Sequence, residues 1–498
     1  MLQIHKLCLV GFLTQVRRSW TLQDEISVTF PKIAIVGGGI GGTATAYFLQ
    51  ELFGDNVIID LYESERIGGR LATIPIGEHE YEVGGSIIHP KNQYMLNFVP
   101  KLGLEPRHTC KGKLGIFNGE TYVFRDSAWD IISLGKLFWR YGWDMYRLNR
   151  LTAEMLGDFT KIYKLQSEGY AFKDVASLLH AIHPNFQEMT KKSLAAWLKE
   201  IGIHELMIDE LITAVTQCNY GQTPSIHAFV GAISVAAADE ELWSVLGGNK
   251  RVAEELLINS HAAYLRRYVT EVAQNKGYFT VTSTETVVKN LFTEGNPNIP
   301  EMNSSYDPRT QQYDIVIFAA PLTKDKSSIK LVNFTKDLEF PGRYERILCT
   351  MVQGEVRPES LLLTPEDDID EILVSNPGLI FNSFGKQCPV DNYDKTNSPD
   401  VWKIFSSVPL GEEQLDIFFK KRNSTDVIDW LAYPRYDSDQ QLGNFELLPG
   451  VYYVNTIEWA GSAMEMSAIG AKNVALLAFK YWLQDPNAGI LTTFRDEL

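Results

Sequence analysis

The chain has 498 residues, 45% hydrophobic and 22% charged, the composition of a globular protein long enough for two cores and not of a fibrous or disordered one. Its 46 Lys and Arg stand against 62 Asp and Glu, a net charge of −16, and no basic stripe interrupts that excess, which excludes nucleic acid as a partner. No uninterrupted apolar run reaches the length needed to cross a bilayer as a helix.

The first element, "MLQIHKLCLVGFLTQVRRSW", carries a short apolar stretch followed by Arg17-Arg18. It makes a poor secretory signal, because the apolar region is brief and no small-x-small cleavage site follows. Residues 1–30 are therefore read as a leader or a poorly ordered segment. "KIAIVGGGIGGTATAYFL" comes next: a branched, apolar strand over Lys32 to Val36, then Gly37, Gly39 and Gly42, then a helix with Ala44, Phe48 and Leu52 at helical spacing. In a nucleotide-binding loop Gly37 permits the tight turn, Gly39 lets the backbone approach a pyrophosphate, and Gly42 lets the helix pack on its strand. The helix N-terminus adds free N–H groups and partial positive charge. The plain alternative is a strand–turn–helix with no ligand. Against it stands Glu63, which closes a second predicted strand about 20 residues on, where an acid would bind ribose hydroxyls.

A second doublet, Gly68-Gly69-Arg70, follows that acid, and "YEVGGSIIHP" adds Gly84-Gly85. The first doublet resembles that of flavoprotein oxidases of the amine oxidase and phytoene desaturase kind, where it lies beside FAD, so FAD is favoured over NAD. In that reading Arg70 contacts a phosphate, with a solvated loop arginine as the alternative, and Gly84-Gly85 lies near the isoalloxazine ring.

Further along, residues 92 to 240 are rich in helical pattern and contain the aromatic run Trp129, Phe138, Trp139, Tyr141, Trp143 and Tyr146. "YDIVIFAAPL" reads as another buried parallel strand, and segments between 340 and 445 as a second sheet. "GVYYVNTIEWAGSAMEMSAIGAKNVALLAFKYW" is strand, turn and helix, with Glu458 as the acid that meets the ribityl and pyrophosphate region. Met464-Glu465-Met466 opens the helix, whose N-terminus would face the flavin O2. The expected fold is a mixed α/β, two-domain flavoprotein. A discontinuous Rossmann-type FAD domain takes residues 31–91, 241–335 and 446–485, a substrate domain takes 92–240 and 336–445, and a tail takes 486–498. The tail ends in "RDEL", one residue from the ER-retrieval signal, and N-x-[ST] sequons fall at Asn303, Asn333 and Asn423. With five cysteines in no metal-binding spacing, these features point to the secretory or endolysosomal lumen, and no metal site is expected.

Strings such as "GGRLATI", "GGSIIHP", "NYGQ", "WSVLGGNKRV", "VWKIFS", "WLAYPRY" and "AMEMSAIGAKNVALLA" resemble the prenylcysteine oxidase family, FAD-dependent thioether oxidases also called farnesylcysteine lyases, over nearly the whole chain from residue 32. The resemblance implies a prenylated cysteine as substrate. Its allylic carbon next to sulfur is oxidised, water adds, and the hemithioacetal collapses to a prenyl aldehyde and free cysteine, with O2 ending as hydrogen peroxide. Trp139 and Trp143 are then candidates to line a prenyl tunnel; a core helix, or a helix resting on a membrane surface, is the alternative. His89 and Tyr220 would sit near the flavin, His89 more in a hydrogen-bonding role than a catalytic one, and no catalytic base is assigned. Two other readings stay open: another flavin oxidase acting on an amine or a desaturase-type chain, and a non-enzymatic prenyl-binding escort protein.

Overall fold

The strand Lys32–Val36 alternates its side chains between two cores, and that alternation organises much of the molecule. Ile33 and Ile35 point into a core shared with the helices Ile40–Phe53 and Met464–Gln484, while Ala34 and Val36 point to the opposite face, against a second sheet. The computed structural model describes residues 30–108, 112–127, 129–236, 242–285, 307–364, 367–391 and 400–484. The leader, Asn303 and the RDEL tail lie outside these described residues.

Lys32–Val36 sits inside a six-stranded sheet, flanked in parallel by Ile58–Tyr62 and Ile315–Phe318. Ala263–Leu265 and Val451–Tyr453 extend it in parallel, and Glu446–Leu448 closes one edge antiparallel. The strands therefore come from four separate stretches of chain. A four-stranded sheet, Arg309–Tyr313, Phe279–Glu285, Arg267–Gln274 and Lys330–Val332, belongs to the core on the Ala34 side.

A separate seven-stranded sheet runs in the order Phe419–Pro434, Tyr344–Val356, Val401–Ser406, Ser383–Gln387, Ile369–Val374, Lys113–Phe117 and Tyr122–Arg125. One of its faces buries Phe384, Ile404 and Phe418. Residues of its other face, among them Phe405 and Lys403, line a cleft. Helices between residues 130 and 236 complete the wall. One of them, Thr213–Tyr220, follows a π-helical turn at Ile208–Ile212 and carries Gln217 to Tyr220 to the same cleft. The cleft opens at the carboxyl ends of the parallel strands, where Gly37, Glu63, Ala319 and Val454 follow their strands. That is where open α/β sheets bind ligands.

Candidate active site

Three glycine-bearing loops meet at the floor of the cleft, which has a volume of about 740 Å³. Gly37 has φ of +116° and a Cβ there would sit 2.6 Å from the Ala319 carbonyl oxygen. At Gly42 a Cβ would lie 1.9 Å from the Gly37 oxygen, so the helix can approach its own turn only without a side chain. Gly39 differs, because its nearest neighbour to an added Cβ is the Gly68 oxygen at 3.9 Å. The space above Gly39 belongs to the cleft. The helix Ile40–Phe53 that starts there has no side-chain cap, leaving first-turn N–H groups free for an anion.

The second loop docks on the first: Gly68 N–H donates to the Gly38 oxygen at 2.9 Å, and Gly69 lies against the Gly39 backbone. The third docks on the second, with Gly85 N–H donating to the Arg70 oxygen at 3.1 Å and a Cβ at Gly84 landing 1.9 Å from that oxygen. Glu63 closes the second strand, and its carboxylate accepts the Gly38 N–H at 2.8 Å and the Glu65 N–H at 2.7 Å. Burial raises its pKa against those two donors. The open space over Gly39, the uncapped helix and the acid beside them fit the pyrophosphate and ribose of FAD.

Three of the expected cofactor residues, Arg70, Glu458 and Glu465, have protein partners at the cleft. Arg70 and Glu458, read from sequence as separate contacts to the cofactor, form an ion pair with each other. Arg70 also donates to the Ala432 oxygen at 2.6 Å, while Glu458 accepts from Asn455 Nδ2 at 2.6 Å and from the Tyr344 hydroxyl at 2.9 Å. The pair ties the glycine loop, the seven-stranded sheet and the closing segment together. Glu465 lines the cleft, yet its carboxylate is committed to another helix. It accepts the Tyr94 and Met95 N–H groups at the start of Gln93–Lys101, at 2.7 and 3.0 Å, and the Tyr163 hydroxyl at 2.7 Å. Burial pushes its pKa up to about 7 against those donors. Met464, at the head of its helix, lines the cleft.

Trp139 and Trp143 do not line the cleft. They are 92% and 68% exposed: Asp130–Tyr141 buries its Leu137 and Tyr141 side and turns Trp139 outward, and Trp143, the first residue of the helix Trp143–Phe159, packs its ring edge-on to the exposed Phe138. The apolar wall is formed instead by Met155, Leu156, Phe159, Ile233 and Leu242. Tyr220 is in the cleft, its ring edge-on to Tyr433 at 5.0 Å and its hydroxyl 3.4 Å from the Ser462 oxygen. His89 is there too, its Nδ1 accepting the Lys91 N–H at 3.0 Å.

Several cleft residues escaped the sequence reading. Glu82 is buried; its Oε1 accepts the Asn249 N–H at 2.7 Å and its Oε2 has no partner. Burial pushes its pKa up to about 7, against that N–H and the charges of Lys403 and Arg107. Lys326 is pulled down to about 8 by burial and by Arg70. Cys218 is a free thiol that burial pushes up to about 12, so it is inert, whereas Cys388 is disulfide-bonded.

The prenylcysteine lyase family matches residues 124–489, and an NAD(P)-binding Rossmann-like domain matches residues 35–102. This chain belongs to the prenylcysteine lyase family. Among its relatives, human (Homo sapiens) prenylcysteine oxidase 1 is 40% identical over 470 residues, covering 92% of this chain and 90% of that protein. Mouse (Mus musculus) prenylcysteine oxidase 1-like is 36% identical over 467 residues, 91% of each. In fold, this family member is similar to putrescine oxidase bound to putrescine, with a TM-score of 0.58 at 14% identity, covering 89% of this chain and 98% of that one. Cyclohexylamine oxidase from Brevibacterium oxydans gives 0.58 at 15% identity over 91% and 99%.

Two glycine substitutions should separate cradle from fold. Gly39→Val, which meets open space, should leave the thermal midpoint near that of FAD-stripped wild type and strip the protein of flavin absorbance. Gly42→Ala, which meets the Gly37 oxygen, should cost about 1–3 kcal/mol of stability by overpacking. A Gly39→Val protein with full flavin content would remove Gly39 from the cradle.

Glu82 and Glu465 also set a pH dependence. Their folded pKa values, about 7, lie above the ordinary 4.5, so the stability linked to each is present below pH 4.5 and lost as pH rises through 7. Each change is on the order of 3 kcal/mol at most. Thermal unfolding should therefore occur at higher temperature at pH 5 than at pH 7.5, and Glu82→Gln should flatten the difference. Equal pH dependence in the variant would show that Glu82 does not titrate this way.

Proposed function

We propose that this chain is an FAD-dependent prenylcysteine oxidase that converts farnesyl- or geranylgeranylcysteine, O2 and water to a prenyl aldehyde, free cysteine and hydrogen peroxide. The observation that carries this reading is one continuous cleft, which runs from the glycine cradle to a wall of Met155, Leu156, Phe159, Ile233 and Leu242. Bound FAD supplies the acceptor for the hydride that leaves the allylic carbon beside sulfur. The chain supplies position and environment. The Arg70–Glu458 pair fixes the loops that hold the cofactor, and Tyr220 and Tyr433 present aromatic rings where their own elements converge. The apolar wall takes up the prenyl chain, at about 25 cal/mol per Å² of surface removed from water.

The chain works in the secretory or endolysosomal lumen. The disulfide at Cys388 suits an oxidising compartment, and the two buried acids favour an acidic one. Asn333 and Asn423 are exposed, as glycan acceptors must be. Among the described residues no helix is long and apolar enough to cross a membrane. The outward face of Asp130–Tyr141, made of Ile131, Ile132, Leu134, Phe138 and Trp139, rests instead on a lipid surface, with exposed Lys136 and Arg140 beside it. The next helix, Trp143–Phe159, starts in that patch with Trp143 and Tyr146 and ends in the cleft wall, a path suited to an amphiphile delivered from a bilayer.

Farnesylcysteine mixed anaerobically with the flavin-loaded protein should bleach its absorbance, and farnesol should not, because it lacks the thioether-linked amino acid that positions the allylic carbon. Faster bleaching by a primary amine would move the protein to the amine oxidases. On vesicles containing anionic lipid the wild type should float, and a Phe138→Glu, Trp139→Glu variant of unchanged thermal midpoint should bind on the order of tenfold more weakly. A wild type that ignores vesicles and dimerises through this face would contradict the lipid assignment.

A further inference from the structure

Three adjacent strands bring Glu371, Gly385 and Lys403 into a single row across the cleft wall. Glu371 is registered opposite Gly385, and Gly385 opposite Lys403. Residues opposite one another in a ladder share a face. An acid and a base therefore stand two strand spacings apart, about 10 Å between their backbones, with no side chain between them. A Cβ at Gly385 would point alongside Glu371, 3.7 Å from its Cγ, and would meet nothing nearer than the Gln387 amide at 3.6 Å. Gly385 is not among the positive-φ glycines, so the backbone does not demand glycine here. Its effect is to leave the floor open.

All three residues line the cleft, and the charges at either end of the row are unspent. Lys403 is only 8% exposed, and its ammonium makes no hydrogen bond to a described residue; it lies 5.3 Å from the centre of the Phe405 ring. Glu371 is exposed to the cleft, and its carboxylate has no hydrogen bond to a described residue; desolvation by the surrounding walls raises its pKa while Lys403 lowers it. Asn382, also on the cleft wall, buries an Nδ2 that has no partner. A buried ammonium or amide without a hydrogen-bond partner is costly, and is satisfied by a ligand of opposite character. Glu82 and Arg107 complete the charged groups nearby, so the neighbourhood holds both signs and suits a zwitterion better than a single ion.

We propose that this row binds the free amino-acid end of the substrate, with Lys403 taking the α-carboxylate and Glu371 taking the α-ammonium over Gly385. The proposal rests on the prenylcysteine reading and assigns the side chains of this cleft that recognise the free amino and carboxyl groups of its substrate.

The test measures affinity of the flavin-loaded protein, by quenching of its fluorescence, for S-farnesylcysteine, its methyl ester and its N-acetyl derivative. Wild type should bind the free amino acid roughly ten- to a hundredfold more tightly than either derivative, the range for a hydrogen bond to a charged group. Lys403→Met should erase the discrimination against the ester only, and Glu371→Gln that against the N-acetyl compound only. Gly385→Ala, which the fold accommodates, should weaken the free amino acid on the order of tenfold and serves if a charge variant does not fold. Equal wild-type affinity for all three compounds, or variants that weaken all three by one factor, would overturn the zwitterion site alone. Failure of all three to bind wild type would overturn the prenylcysteine reading as well.

Discussion

Backbone touching backbone is the constraint on which the cleft depends. The Gly37–Gly42 turn, the Gly68-Gly69 doublet and the Gly84-Gly85 doublet are stacked one on the next, each contact too close for a Cβ or sealed by a main-chain hydrogen bond. A side chain at Gly42 or Gly84 would force these loops apart. Their stacking leaves Gly39 facing open space, so the one glycine of the stack that packing does not require is the one turned to the cleft. The Arg70–Glu458 pair then locks the stack to the seven-stranded sheet and to the segment before the last helix.

Four buried or half-buried acids around this floor show how environment divides a single chemistry. Glu63 is held by two backbone donors at the end of its strand, and Glu458 is neutralised by Arg70. Glu465 caps a neighbouring helix, and Glu82 keeps one oxygen without a partner. Burial pushes Glu82 and Glu465 to about 7 against the donors that hold them. An acidic medium suits such a set, since it protonates the acids that burial disfavours as anions.

The fold and the cradle were legible in the sequence because close approach and buried parallel strands leave residue-type signatures: glycines at fixed spacing, and runs such as Lys32–Val36 that are apolar on both faces. The pairing of Arg70 with Glu458 was not, since partners 388 residues apart leave no local pattern. Glu465 looked like a cofactor residue because it stands in the first turn of a helix at the site; that helix start does face the cleft, but the carboxylate turns to Tyr94 and Met95. Trp139 and Trp143 misled for a related reason, as aromatic content does not say which side of a helix is buried. A usable signal was missed in "VWKIFS", where a lysine interrupts an otherwise apolar strand of the second sheet and so announces a charge facing an enclosed space.

The fold resembles amine oxidases at 14–15% identity, a likeness of architecture only, while family membership sets this chain apart from them. What unites these features is a floor of stacked glycine loops built to hold FAD. The most direct measurement is the flavin content of the gently purified wild-type protein, from its visible absorbance and from the nucleotide released on denaturation. The account requires close to one FAD per chain; a colourless protein that neither carries nor takes up FAD would contradict it.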